Sequence, residues 1–156
     1  MARIVVVGGG YAGFTAAREL ERRLRRDDVE VVLVDPRPYM TYQPFLPEVV
    51  AGSVEARHSA VAHRRHLRRT RLVAGTVTRI VHAERRLTVR PVDGPDVELA
   101  YDTLVLTAGA VTRRVSVPGV AEHAIGMKHV EEAVAIRDRL LTAFDRAAAL
   151  PHGRTR

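Results

Sequence analysis

An α/β fold with a mainly parallel sheet is predicted for this chain of 156 residues by three features. An apolar, β-branched run at Ile4–Val7 opens directly into Gly8-Gly9-Gly10-Tyr11-Ala12-Gly13. An amphipathic stretch leads from there to a second apolar run, Val29–Val34, which ends on Asp35. Further along, two β-rich runs flank Asp93-Gly94-Pro95-Asp96, and another apolar run follows within residues 101–109. Short apolar runs of this kind suit strands buried on both faces of a parallel sheet.

The glycines carry the first functional signal. Their spacing is G-x-G-x-x-G at Gly8, Gly10 and Gly13. Gly8 permits a tight turn, Gly10 leaves no side chain in the path of a pyrophosphate, and Gly13 lets the next helix pack close to the sheet. Alone the pattern is weak; with strand, glycines, helix, strand and acid in order it points to a dinucleotide. The helix is predicted from about Ala12 to Arg26, with Ala16, Ala17, Leu20 and Leu24 on its apolar face. Its N-terminus directs free N–H groups and a partial positive charge at the phosphates. Asp27-Asp28 breaks the helix. Asp35 is placed to accept hydrogen bonds from both hydroxyls of an adenosine ribose, and it repels a 2′-phosphate, which disfavours NADP. The pattern does not separate FAD from NAD.

Residues 35–47 contain Pro36, Pro38, Pro44 and Pro47, so an irregular loop is expected. It leaves the carboxyl end of the second strand, where ligands of open α/β sheets bind, and long loops of this type are usually functional. A short helix is predicted at Glu48–Arg57 around Gly52, and another at Ala62–Arg69. Leu72–Val81 reads as a strand passing into a second strand, and Leu87–Val92 with Val97–Tyr101 as a hairpin. The strand within residues 101–109 ends in Ala108-Gly109, small enough for another close backbone approach. Val130–Leu150 is helical, with Val134, Ile136, Leu140, Leu141, Phe144 and Ala148 as apolar positions. The tail, residues 151–156, is polar and expected to be mobile.

Composition narrows the function classes. The length suits one domain. The net charge is +7, and Lys128 is the only lysine. The densest basic run, His63–Arg71, has no interleaved aromatic residue and no nucleic-acid motif around it, so no nucleic-acid partner is expected. It reads as a solvated helix face, with attraction to anionic lipid headgroups as the remaining role. His63 and His66 stand three residues apart with no third ligand; they read as a solvated pair and no metal site is expected. The first residues lack a signal-peptide pattern, and no apolar run approaches the ~20 residues of a membrane span. The expected location is the cytoplasm, or the cytoplasmic face of a membrane. Cysteine is absent, which excludes a disulfide, a thiolate metal site and a cysteine nucleophile within this chain.

Taken together, Gly8-x-Gly10-x-x-Gly13, Asp35, Tyr42-Gln43-Pro44-Phe45-Leu46-Pro47, Gly75-Thr76-Val77, Tyr101–Val105, Thr107-Ala108-Gly109 and Val117-Pro118-Gly119 give a more specific pattern. With them the chain resembles, from about Arg3 to Leu150, the two-dinucleotide-binding-domain flavoproteins, and among these the type II NADH:quinone oxidoreductases. The resemblance implies a Rossmann-like FAD-binding domain, a parallel sheet with an antiparallel β-meander crossover, present here in incomplete form. It implies that Gly8, Gly10, Tyr11, Ala12 and Gly13 lie along the FAD pyrophosphate. Asp35 would bind the adenosine ribose, with Arg37 on the adenine side. Gln43 and Pro44 would lie near the flavin end, Val77 would meet the adenine through its backbone, and Ala108 and Gly109 would sit against the extended dinucleotide. Read as residues alone, Arg37 is equally a surface charge, Gln43 a loop amide capping its own backbone and Val77 a core valine. Met40 departs from the pattern, since relatives often carry histidine after the tyrosine.

The missing cysteines discriminate within that family, whose disulfide reductases carry a redox pair in this segment. Their absence implies direct electron transfer between nicotinamide, flavin and a quinone or other acceptor, with no catalytic residue nominated here. The resemblance divides the chain into an FAD-binding segment (1–127), a connecting helix (128–150) toward an NADH domain, and the tail (151–156). A complete member has a second G-x-G-x-x-G for its substrate NADH and a membrane-binding C-terminus. The expectation is therefore a fragment or half of a split enzyme, partnered by the missing NADH-binding half or a homologous subunit. Weak FAD binding, no NADH oxidation alone, and self-association through a bare sheet edge follow. Two alternatives stay open: a related FAD-dependent oxidoreductase with another acceptor, and a non-catalytic dinucleotide-binding module.

Overall fold

The computed structural model describes residues 1–25, 27–113 and 115–150. The predicted helix end at Arg26 and the tail 151–156 lie outside the described residues. In chain order the elements are β1 (Ala2–Val7), α1 (Tyr11–Arg23), β2 (Val29–Asp35), β3 (Tyr39–Thr41), α2 (Leu46–Ala51), β4 (Ala60–Ala62), α3 (His63–His66), β5 (Arg71–Val81), β6 (Arg86–Pro91), β7 (Val97–Ala100), β8 (Thr103–Leu106), α4 (Val120–His123) and α5 (Val130–Ala148). The chain forms two compact units that interleave along the sequence. The first comprises Met1–Met40 and Val61–Ala110, the second Thr41–Ala60 and the residues from Val111 onward.

The first unit is built on a six-stranded sheet of order β7-β6-β5-β2-β1-β8. β8, β1, β2 and the start of β5 run parallel, while β5, β6 and β7 form an antiparallel meander. This is the α/β, Rossmann-like architecture with a meander crossover. Period-two alternation puts Val5, Val7, Val32 and Val34 on one face with Leu87, Val89, Leu99 and Tyr101. The opposite face holds Val6, Val31 and Leu33 with Phe14 and Ala17 of α1, Met40 and Leu67. Each such fully buried valine or leucine contributes roughly 1.5–3 kcal/mol relative to leaving it exposed. Two strands were expected across Leu72–Val81; β5 is instead one strand that changes partner. Its residues 71–74 pair with β2, those from Gly75 pair with β6, and a register shift falls between Val77 and Arg79.

Helix α1 stops at Arg23, with Leu24 already extended. The cause is tertiary. The Arg69 guanidinium donates to the Leu24 carbonyl at 2.6 Å, and the Glu21 carboxylate accepts the backbone N–H groups of Arg68, Arg69 and Thr70. The same contacts shorten the predicted Ala62–Arg69 helix to α3, because the amides of residues 68–70 are turned to Glu21. The basic run is therefore solvated only in part: Arg64, Arg65, Arg68 and Arg69 are exposed, but His63, Leu67 and Thr70 are buried.

The proline-rich segment is more regular than expected. β3 pairs with β4, the Tyr42 N–H donates to the Ser59 carbonyl at 2.6 Å, and Gln43–Phe45 forms a 3₁₀ turn. Pro44 and Pro47 occupy first-turn positions of that 3₁₀ turn and of α2, where no N–H is needed. The helix expected at Glu48–Arg57 ends at Ala51, because Gly52 takes the left-handed conformation (φ 78°) that closes a helix.

Within the second unit, α2 and α5 share a small core of Leu46, Val49 and Ala133. At the start of α5 the Glu132 carboxylate accepts the N–H groups of Lys128 (2.7 Å) and His129 (3.0 Å). Only the first half of α5 uses its apolar face. Leu140, Leu141 and Phe144 are exposed, Phe144 by 71%. Among the described residues, no helix is long and apolar enough to cross a membrane.

Candidate functional site

The glycine turn at the end of β1 is stitched to its surroundings by backbone and side-chain bonds. Gly8 N–H donates to the Val34 carbonyl at 2.8 Å, and Thr107 N–H donates to the Val7 carbonyl at 2.9 Å. The Thr107 hydroxyl reaches both the Val7 and Gly8 carbonyls, at 2.8 and 2.9 Å. Gly8 has φ +96°, and a Cβ there would lie 2.3 Å from the Thr107 carbonyl oxygen. Gly13, in the first turn of α1, stacks directly on this structure: a Cβ would lie 1.8 Å from the Gly8 oxygen.

Gly10 differs from these. It is the N-cap of α1, it is exposed, and a Cβ built on it meets no atom within 4 Å. The protein closes around the other glycines of the turn and leaves this one facing open space. No acidic residue stands in the first turn of α1 and no side-chain hydrogen bond caps it, so the positive end of the helix dipole is not offset from within the helix. An open, cationic, backbone-walled cradle fits a diphosphate group.

Asp35, at the end of β2, sits beside this cradle. Its Oδ2 accepts the Gly9 N–H at 2.6 Å and its Oδ1 accepts the Arg37 N–H at 2.7 Å. These bonds orient the carboxylate and use one acceptor site on each oxygen; a second on each stays available for a ribose hydroxyl. A shallow cleft of about 50 Å³ opens here, lined by Asp35, Arg37, Pro38, His63, Arg64 and the β5 residues Leu72–Ala74 together with Leu33. It is far smaller than the ~300–1,000 Å³ of pockets that enclose a ligand, so it offers a recess for one end of a dinucleotide, with two guanidinium groups and one carboxylate among its lining residues.

The structure brings Gly8, Gly10, Tyr11, Ala12, Gly13 and Asp35 to one turn, with Arg37 in the cleft beside it. Ala108 is exposed next to Gly8, its Cα 3.2 Å from where a Gly8 Cβ would be, and the exposed Gly109 follows it. Val77 does not line the cleft; it is half-buried against the core face of Val5 and Val7. Gln43 and Pro44 belong to the second unit, where the Gln43 amide donates to the Lys128 carbonyl at 3.4 Å.

Two residues at the turn escape the sequence reading. Thr107 enters the sequence reading only as the first residue of the Thr107-Ala108-Gly109 motif, with no role of its own. His63 was expected to be solvated, yet it is 2% exposed, stacks on Phe14 and places Nε2 2.9 Å from the Gly9 carbonyl oxygen. The available signal was the i, i+4 spacing of His63 and Leu67, which puts both on the buried side. Among the described residues no cluster of three histidine, aspartate or glutamate side chains forms a metal site.

The chain as a whole is similar to several known proteins. The 31%-identical type II NADH:quinone oxidoreductase Ndh of Mycobacterium tuberculosis aligns over 93% of this chain and 31% of its own length. The external alternative NAD(P)H-ubiquinone oxidoreductase B1 of Arabidopsis thaliana is 33% identical over 92% of this chain and 26% of its own. The chain thus spans about a third or less of the relatives it matches. Among solved structures, NDH2 from Plasmodium falciparum in complex with NADH superposes with a TM-score of 0.85 at 24% identity, covering 96% of this chain and 30% of that one. The sulfide:quinone oxidoreductase of Aquifex aeolicus gives 0.75 at 20% identity, covering 93% and 33%. At these identities the structural likeness speaks to the fold. The family described as pyridine nucleotide-disulphide oxidoreductase matches residues 2–149. With a turn, acid and sheet of this form inside that match, the chain belongs to the pyridine nucleotide-disulphide oxidoreductase family.

Proposed function

We propose that this chain is the FAD-binding portion of an NADH dehydrogenase-like flavoprotein that passes electrons from NADH to a quinone or similar acceptor. The observation that carries the reading is the open glycine cradle at the N-terminus of α1, with Asp35 alongside, in a chain 31% identical to a type II NADH:quinone oxidoreductase over 93% of its length. When bound, FAD supplies the redox relay between a nicotinamide and the acceptor. This chain's own residues bind and orient it. Gly8, Gly10, Tyr11, Ala12 and Gly13 receive the diphosphate, with the helix dipole favouring its charge. Asp35 takes the ribose hydroxyls and repels a 2′-phosphate. Arg37 flanks the adenine, Val77 meets it through the main chain, and Ala108 and Gly109 line the extended cofactor. Gln43 and Pro44 serve the flavin end, and residues 128–150 lead toward an NADH-binding portion. No side chain here is assigned as acid, base or nucleophile, and the absence of cysteine in the chain is consistent with transfer that uses no thiol relay.

The test is reconstitution. The purified chain is titrated with FAD by fluorescence and with NAD by calorimetry, then assayed with excess FAD for NADH-dependent quinone reduction. Weak but saturable FAD binding, tighter than that of NAD, without NADH oxidation by this chain alone is the expected result. No saturable FAD binding, with NAD bound more tightly, favours a dinucleotide-binding module without redox chemistry. Rapid NADH:quinone turnover refutes the division of labour proposed for residues 128–150.

A further inference from the structure

The Gly9 peptide is gripped from both sides. Its N–H is taken by Asp35 Oδ2 at 2.6 Å and its carbonyl oxygen lies 2.9 Å from His63 Nε2. A carbonyl oxygen only accepts, so Nε2 carries the proton in this contact. His63 is itself well held: its ring stacks on Phe14 with centroids 6.0 Å apart, and its backbone N–H donates to the Pro38 carbonyl at 2.9 Å. The fit is tight, since a Cβ on Gly9 would lie 2.4 Å from His63 Cε1 and 3.2 Å from Asp35 Cβ. The carbonyl of Gly9 and the N–H of Gly10 share one planar trans peptide and point in opposite directions. Holding that oxygen on the protein side therefore turns the Gly10 N–H toward the open side of the turn. A donated hydrogen bond also polarises the peptide and strengthens the N–H as a donor.

We propose that His63 is a positioning residue of the dinucleotide site: its Nε2–H fixes the Gly9–Gly10 peptide so that the Gly10 N–H faces the diphosphate, while its ring walls the cleft beside Asp35 and Arg37. This rests on the reading of the glycine turn as a dinucleotide site. It gives a buried histidine, outside the glycine pattern, a direct bearing on ligand affinity. The side chain touches the turn and not the reacting atoms.

The experiment compares the full chain with His63→Leu, which removes the donor, and His63→Gln, whose amide nitrogen restores one at similar reach. ADP is the calorimetric probe, because it carries the adenosine and diphosphate common to FAD and NAD; FAD is titrated alongside by fluorescence. His63→Leu is expected to weaken ADP and FAD about tenfold, the effect of one lost hydrogen bond of ordinary strength, and His63→Gln to recover most of it. Equal ADP affinity in all three proteins overturns the proposal. Should His63→Leu fail to fold, the wild-type and His63→Gln chains carry the test by NMR. ADP is then expected to shift the His63 Nε2–H and Gly10 amide resonances together, and unmoved resonances on saturation with ADP overturn it. ADP binding that depends on His63 without any FAD binding supports the role of His63 and refutes the flavin assignment alone. A wild-type chain that binds neither ligand overturns both.

Discussion

Substituting Gly10 by alanine separates what the turn does for the fold from what it does for a ligand. Gly10 has φ −70° and ψ −165°, extended backbone that alanine adopts without strain, and the new methyl meets no atom within 4 Å. Two modest effects act on stability. Removing glycine reduces the freedom of the unfolded chain, stabilising by ~0.4–1 kcal/mol. Alanine is a much poorer N-cap than glycine, which costs a comparable ~0.5–1 kcal/mol. The net change is within about 0.5 kcal/mol, less than about 2 °C in melting temperature for a chain of this size. Toward a ligand the same methyl occupies the one glycine of the Gly8–Gly13 turn around which the protein leaves open space. Overpacking of this kind costs ~1–3 kcal/mol, or roughly 5- to 150-fold in affinity. Calorimetric melting without ligand and a fluorescence titration with FAD measure the two sides independently. An unchanged FAD affinity would show that the diphosphate does not approach through Gly10. A melting temperature lowered by more than about 5 °C would show that the turn is packed where the structure has it open.

Gly13→Ala makes the opposite case: its Cβ would lie 1.8 Å from the Gly8 carbonyl oxygen and 2.6 Å from Thr107 Oγ1, so α1 must be displaced. A loss of ~3 kcal/mol or more is expected by urea denaturation, and wild-type stability would refute the packing. Acid stability follows from two carboxylates. The Arg3 guanidinium, bonded to Glu30 at 2.6 Å and aided by Arg71, outweighs burial and lowers the Glu30 pKa below 4.5. At Glu21 burial opposes ionisation, but hydrogen bonds from Thr70, Arg69 and Arg68 outweigh it and the pKa is again lowered. A folded pKa below the unfolded one stabilises at pH above about 4.5 and is lost as pH falls through the folded value. Solvent screening holds each contribution to ~0.2–1 kcal/mol. The Glu21→Gln, Glu30→Gln double variant is therefore expected to melt lower at pH 7 and to decline less steeply below pH 4.5; parallel melting curves against pH would refute this. The outer edge of β8, with Leu106 exposed, is expected to support self-association; light scattering should show it at high concentration and Leu106→Lys should weaken it, whereas a monomer throughout would rule it out.

The parts of the fold legible in advance are those whose cause is local. Valine alternation in Val5–Val7 and Val31–Val34 follows from the two-residue period of a strand, and the turn from glycine spacing. Tyr39–Thr41 and Ala60–Ala62 were missed as strands because each has only three residues and exists by pairing with the other. The apolar positions of Val130–Leu150 were recognised, but periodicity alone did not say that Leu140, Leu141 and Phe144 stay exposed within this chain.

From the sequence alone came the order of strands and helix around the glycines, the acid at Asp35 and the direction of the sheet's core, because each depends on neighbours a few positions away. The tertiary structure alone decided which glycine stays open, where α1 ends, and that His63 and Thr107 hold the turn. The bonds responsible join residues far apart in the chain, 45 positions between Arg69 and Leu24, 54 between His63 and Gly9 and 99 between Thr107 and Gly8. No periodicity or spacing encodes such a meeting. It arises when β5 and β8 pair beside β2 and β1 and bring these donors to the carbonyls they satisfy.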